Sequence, residues 1–334
     1  MKTPGTIKRT LAAGLAMLPI LLVQPAAAAT TLEVAVPWGA TEFHSINAGE
    51  FADRVREATD GEIDIQVRAG DELGVKATET VRAVADGVVP MADSALFLNA
   101  SRGEALAVES LPFLVADYAE LETLHKHFRP LWEAILERNG QKALYIVPWP
   151  NQMFFVKQEL SSLDDMTGLK MRSLDRLTTD WINRLGMTPV QLTNPEILQS
   201  LGSGIVEGVP TSAGTAAAQQ YWDFLDYGYV TNHLWASNAM TLSMQAWDAL
   251  SADQQQAIEA IAAELEPRFW EVSRADHEKK VAVLEENGMT VAPMPPAIVD
   301  GMRDITQELW EGYTKRMGED ALKALAAYRD EVGS

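Results

Sequence analysis

Side chains able to do chemistry are sparse in this sequence, and their spacing argues against most reactions. Of five histidines only His125 and His127 lie close together. Two positions apart on a helix, they point to different sides and make no metal site, so a solvated pair is expected. With no cysteine and no His-Glu-x-x-His pattern, a zinc or iron site would have to be assembled from distant residues. There is no Gly-x-Ser-x-Gly elbow and no Gly-Lys-Ser/Thr loop, which removes the common nucleophile and phosphate motifs. Gly202-Ser-Gly204 with Gly208 is mis-spaced for a dinucleotide fingerprint and leads into a predicted strand instead of opening a helix. Carboxylate pairs carry no information in a chain with 47 acidic residues. No residue supports an enzyme, a cofactor or a metal.

The nine tryptophans separate by context. Trp132, Trp181, Trp222, Trp247, Trp270 and Trp310 sit in helical patterns and read as packing. Trp38, Trp149 and Trp235 follow predicted strands, where open α/β sheets place their ligand crevices, and ligand contact and packing are both open for them. Arg172 closes a predicted strand, and from composition alone an interdomain salt bridge is its first reading. His44, Glu72, Ser94, Asn151 and Asn238 are further candidates because they lie at strand ends or on loops facing the expected cleft.

The elements that must position these residues follow from periodicity. Residues 32–36 read as a strand, 46–59 as a helix stopped by Asp60-Gly61, and 63–67 as an alternating strand. A helix over 78–86 and a strand over 88–95 complete a β-α-β-α-β order, which implies a parallel sheet with helices on its faces. Helical segments over 118–139 lead to a strand at 143–149, and a second α/β unit begins near residue 150. It contains strands at 168–172, 188–192 and 205–209, short helices near 178–185 and 196–201, and strands at 229–232 and 239–242. Ser251-Ala-Asp-Gln254 forms a capping box opening a long helix that Pro267 is expected to kink or interrupt, and the tail over 298–332 is helical. No Gly/Ser or Pro-rich linker separates the halves, which favours a chain crossing between domains more than once.

The amino-terminal residues read as a secretory signal: Lys2, Lys8 and Arg9, an apolar run over 11–23, then Pro25-Ala-Ala-Ala-Ala29, with cleavage expected near Ala28 or Ala29. No other run approaches the roughly 20 apolar residues of a membrane span. The remaining length, roughly 300 residues, suits two domains with separate cores, large enough to do without disulfides in an exported compartment. The formal charge is −20, and more negative without the leader. Nucleic acid and anionic lipid are therefore poor partners.

Several segments resemble the solute-binding proteins of tripartite ATP-independent periplasmic (TRAP) transporters. They are Gly70-Asp-Glu-Leu-Gly74, Leu111-Pro-Phe-Leu114, Met166-Thr-Gly-Leu-Lys-Met-Arg172, Leu185-Gly-Met-Thr-Pro189, Gly204-Ile-Val-Glu-Gly208 and Tyr229-Val-Thr-Asn-His233. The resemblance spans nearly the whole mature chain. It implies a two-domain α/β periplasmic binding protein, a hinged clamshell with a long interdomain helix. The expected division is domain I over 30–150, domain II over 151–237, and a shared crossing strand and helices over 238–334. The resemblance also implies a periplasmic monomer that closes on a small organic acid and delivers it to integral membrane subunits. A sensor for a membrane receptor, or an exported hydrolase or lyase, are the alternatives.

In that family the arginine ending the Gly-Leu-Lys-x-Arg strand pairs with the ligand carboxylate, which gives Arg172 this role. A guanidinium fork matches a carboxylate bidentately and stays charged at any ordinary pH. Three positions depart from the common pattern: Gln152 where many members carry a second arginine, Asn194 where an aromatic is frequent, and Thr211 where an asparagine often stands. One arginine fewer argues for a single carboxylate on the ligand. The amides and tryptophans argue for hydroxyls or a ring.

Overall fold

The structure, a computed structural model, describes residues 1, 2, 5 and 29–333, so the predicted leader falls almost wholly outside the described residues. Its strands are β1 (Thr30–Val36), β2 (Ile63–Ala69), β3 (Met91–Ala95), β4 (Gln141–Pro148), β5 (Gln152–Val156), β6 (Lys170–Ser173), β7 (Thr188–Gln191), β8 (Gly208–Ser212), β9 (Tyr227–Val230), β10 (Ser237–Ser243) and β11 (Thr290–Pro293). Its α-helices are α1 (Phe43–Ala58), α2 (Thr80–Ala85), α3 (Tyr118–Arg138), α4 (Arg176–Arg184), α5 (Ile197–Gly202), α6 (Ala213–Ala218), α7 (Met244–Asp248), α8 (Ala252–Glu286), α9 (Pro296–Met317) and α10 (Glu319–Val332).

The strands form two sheets, ordered β2-β1-β3-β10-β4 and β11-β9-β5-β8-β6-β7. In the first, β1 pairs parallel with β2 and β3, as the β-α-β-α-β order requires. On α1 the buried Phe51, Ala52 and Val55 share a face, and on β2 buried Ile63 and Ile65 alternate with half-buried neighbours. β10 enters antiparallel between β3 and β4. The chain therefore leaves the first sheet after β4, builds β5 to β9 in the second, and returns as β10. Helix α8 packs on β4 and α1 of the first unit and on α6 and β11 of the second. The result is a two-domain α/β fold with an interdomain helix.

Local chemistry fixes the boundaries. Ser251 Oγ accepts from Gln254 N–H at 3.2 Å while Gln254 Oε1 accepts from Ser251 N–H at 3.0 Å, the predicted capping box. Gly208 stands where β8 meets Met171 of β6, and a β-carbon there would lie 2.9 Å from the Phe155 carbonyl oxygen. Only glycine lets the strand pass.

Three expectations are corrected. Pro267 does not interrupt α8, which runs 35 residues through it; Pro267 and Ala263, whose carbonyl loses its donor, are both exposed, so water can serve that group. The expected strand over 205–209 is displaced to Gly208–Ser212. His125 and His127 are not a solvated pair. His125 is buried, with Nε2 2.5 Å from Glu109 Oε1 and 3.1 Å from Ser237 Oγ, while His127 meets Glu331 at 2.8 Å.

Candidate functional site

A cavity of about 370 Å³ lies between the two sheets, within the size range of small-ligand sites. Most of its polar lining arrives at the carboxyl ends of strands: Trp38 beyond β1, Trp149 beyond β4, Asn194 beyond β7, Arg172 in β6 and Thr211 in β8. This is where open α/β sheets present loops to ligands.

Arg172 is 4% exposed. Its Nε donates to the Leu192 carbonyl at 3.1 Å, and among the described residues its Nη groups have no hydrogen-bond partner and no carboxylate lies within ion-pairing distance. Burial pushes its pKa down to about 10, against the opposing influence of Tyr221, Asp175 and Glu42, so the guanidinium is charged at neutral pH. Neighbouring strands bring Gln152 and Thr211 beside it, since β5 pairs with β8 and β8 with β6. The Gln152 amide donates to the Pro150 carbonyl at 2.9 Å. Its Oε1 and the Thr211 hydroxyl have no partner among the described residues.

The opposite wall is aromatic. Trp38 and Trp149 meet edge to face with ring centroids 5.0 Å apart. The Trp38 indole donates to Asp93 Oδ2 at 2.6 Å, and the Trp149 indole to Asn238 Oδ1 at 2.8 Å. Asn238 donates in turn to Asp93 Oδ2 at 2.8 Å. Burial pushes the Asp93 carboxyl up to about 7, although the bonds from Asn238 and Trp38 act the other way. His44 lies tilted against Trp149 with centroids 4.4 Å apart; burial lowers its pKa well below the usual range, so its 4.0 Å approach to Asp93 is not an ion pair.

The candidates thus separate into three groups. Arg172, Gln152, Asn194, Thr211, Trp38 and Trp149 line the cavity. Asn238 and His44 are buried behind the tryptophan wall, and Ser94 is buried on the opposite face of β3 with its hydroxyl unpartnered. The other three are elsewhere. Asn151 bonds Asn232 at 2.7 Å; Trp235 is 1% exposed and donates to the Val115 carbonyl at 2.9 Å; Glu72 is exposed and lies 3.5 Å from Arg68. The Trp235 ring meets Tyr118 edge to face with centroids 4.8 Å apart.

Sequence reasoning passed over Asp93, Glu42, Ser212 and Thr215. Asp93 had a signal: a carboxylate inside an otherwise small and apolar strand, adjacent to the chosen Ser94 but facing the other way by the two-residue period. Among the described residues no cluster of three or more His, Asp or Glu could hold a metal, and no helix is long and apolar enough to cross a membrane.

Residues 35–316 match the family described as bacterial extracellular solute-binding protein, family 7. The C4-dicarboxylate-binding periplasmic protein of Rhodobacter capsulatus is 26% identical over 251 residues, covering 73% of this chain and 74% of that one. Among solved structures, a Bordetella pertussis extracytoplasmic solute receptor binding pyroglutamic acid superposes with a TM-score of 0.87 at 28% identity, covering 90% of this chain and 100% of the other. A marine metagenome TRAP solute-binding protein specific for pyroglutamate superposes with a TM-score of 0.85 at 29% identity, covering 90% and 99%.

Proposed function

The chain belongs to family 7 of the bacterial extracellular solute-binding proteins, and on that premise we propose that it captures a small organic acid with one carboxylate and a polar ring, of the pyroglutamate type, for delivery to the membrane subunits of a TRAP transporter. The observation that carries this reading is Arg172: a buried guanidinium on the cavity wall with no carboxylate in contact among the described residues. A buried charge without a partner is costly, and a ligand carboxylate supplies the partner. Gln152, Thr211 and Asn194 offer hydrogen bonds suited to a ring amide, and the faces of Trp38 and Trp149 suit the ring itself. Solved relatives at 28% and 29% identity bind pyroglutamate, which fits the same pattern.

On this reading the body over 30–150 and the body over 151–237 are the two jaws. The passages after β4 and before β10, together with α8, are the hinge. The protein acts in the periplasm as a monomer after cleavage of its leader, and it returns its ligand chemically unchanged.

The test is a thermal-shift titration of the mature protein with pyroglutamate and a panel of other monocarboxylates, followed by recovery of the ligand. A ligand that binds only the native state at about 100 times its Kd adds about 2.7 kcal/mol of stability. A concentration-dependent rise in melting temperature with unaltered ligand is expected. No rise with any monocarboxylate, or recovery of a converted product, overturns the assignment.

A further inference from the structure

Behind the cavity, Glu42 stands close to Arg172 in charge but not in contact. It precedes α1 and is 6% exposed, and its two oxygens meet donors from both halves of the molecule. Oε1 accepts from Gly39 N–H at 3.3 Å and Asn194 Nδ2 at 3.4 Å, and Oε2 accepts from Thr215 Oγ1 at 3.2 Å. The Thr215 hydroxyl itself accepts from Ser212 Oγ at 3.3 Å, which directs its proton to Glu42. Burial pushes its carboxyl above the usual range, while the bonds from Gly39 and Thr215 and the charge of Arg172 act the other way, and donors on both oxygens stabilise its charged form. Asn194, Ser212 and Thr215 all line the cavity. The negative charge of Glu42 therefore sits one hydrogen bond behind the cavity surface.

The local balance of charge is close. Arg172 lies within electrostatic reach of both Asp175 and Glu42, and Glu42 within reach of Asp276 on α8. Lys76, the second cation of the lining, is exposed and within reach of the acidic Asp71 and Glu196. One ligand carboxylate on Arg172 is tolerable. A second would enter a cavity whose other cation, Lys76, is exposed and shared with Asp71 and Glu196, with the Glu42 carboxylate beneath its wall.

We propose that Glu42 is a charge-selecting residue: without touching the ligand, it makes the cavity reject dicarboxylates while admitting acids with a single carboxylate. Discrimination here works by building repulsion against the wrong ligand as well as attraction for the right one. This inference rests on the reading that Arg172 holds a ligand carboxylate.

Three probes test it by calorimetry on the mature protein: pyroglutamate, succinamate and succinate. The last two match in length and differ by one charge. Wild type is expected to bind pyroglutamate or succinamate and to discriminate against succinate. Glu42→Gln should narrow the succinamate-to-succinate ratio roughly tenfold, the scale of a like-charge contact near a buried site. Glu42→Asp, which keeps the charge, should keep the ratio. A purely structural clasp would suffer in both variants and lower all affinities together, and that result overturns the proposal. An unchanged ratio in a folded Glu42→Gln protein overturns it as well. In parallel, Arg172→Ala that leaves pyroglutamate or succinamate binding intact refutes the carboxylate reading itself, and so does a wild type that binds neither. Loss of binding in Arg172→Ala with an unmoved Glu42→Gln ratio refutes only the role of Glu42.

Discussion

On the wall built from β1, β3 and β4, Trp38 gives its indole N–H to Asp93 at 2.6 Å and Trp149 gives its own to Asn238 at 2.8 Å. On the wall built from β5, β8 and β6, the Nη groups of Arg172, Oε1 of Gln152 and the hydroxyl of Thr211 have no such partners among the described residues. Buried polar groups are nearly always hydrogen-bonded, and an unbonded one costs folding free energy. The two indoles have met this requirement internally, so they offer the cavity fixed ring surfaces. The arginine wall has left it open, so its satisfaction waits for something that enters. One wall sets shape and the other sets chemistry.

Replacing the central residue of the open wall should give the largest effect. Arg172→Ala is expected to weaken binding of a monocarboxylate by about 2–5 kcal/mol, the usual cost of removing one member of a buried charge pair. It should not lower thermal stability of the unliganded protein, because burial of this cation outweighs the longer-range support from Asp175 and Glu42 and is a burden on the fold. Calorimetry paired with differential scanning calorimetry separates the two. A variant that binds normally but melts early would make Arg172 a structural residue and erase the contrast between the walls.

The closed wall should answer to pH instead. Asp93 has its carboxyl raised from 3.8 to about 7, chiefly by burial, so between those values the folded state holds a proton that the unfolded state has released. Its contribution to stability is complete below pH 4 and is lost as pH rises through about 7, a difference of up to about 4 kcal/mol at roughly 1.4 kcal/mol per pKa unit. The buried histidines His44 and His233, whose pKa values are lowered by burial, act with the opposite sign over part of this range. The informative quantity is therefore the difference between proteins. Asp93→Asn should lose stability relative to wild type at pH 4 and recover it by pH 8, followed by denaturant melts at each pH. A difference independent of pH would show that Asp93 titrates normally and does not hold the indoles as a buried acid.

What the sequence made legible follows the same division. Arg172 was singled out because the Gly-Leu-Lys-Met-Arg run resembles a known family, composition alone suggesting an interdomain salt bridge, and Gln152 and Thr211 because they stand where that family often carries other residues. The parallel order of β1, β2 and β3 was legible from alternation and helix period. The relay of Asp93, Asn238, Trp38 and Trp149 was not, since it joins residues from β3, β10 and the loops after β1 and β4 that only the folded sheet brings together. Glu42 lay hidden for the same reason: its partners Asn194 and Thr215 are more than 150 positions away. His125 was misjudged because Glu109 and Ser237, which allow it to be buried, lie on other elements. Pro267 was misjudged because a proline rule written for helix interiors overstates the cost on a solvated face.

Glu72 offers the smallest effect and the sharpest boundary to the site. The sequence placed it on a loop facing the expected cleft, within Gly70-Asp-Glu-Leu-Gly74. In the folded chain it is exposed and 3.5 Å from Arg68, four positions away, outside the residues that enclose the cavity. An exposed pair of this kind is worth about 0.2–1 kcal/mol, less in salt. Glu72→Ala should therefore leave ligand affinity unchanged and shift the melting temperature by a degree or two at most, the slight loss fading at high ionic strength. A loss of affinity beyond threefold would extend the site to the loop between β2 and α2, and the open wall would then have a counterpart on the side that Trp38 and Trp149 otherwise close.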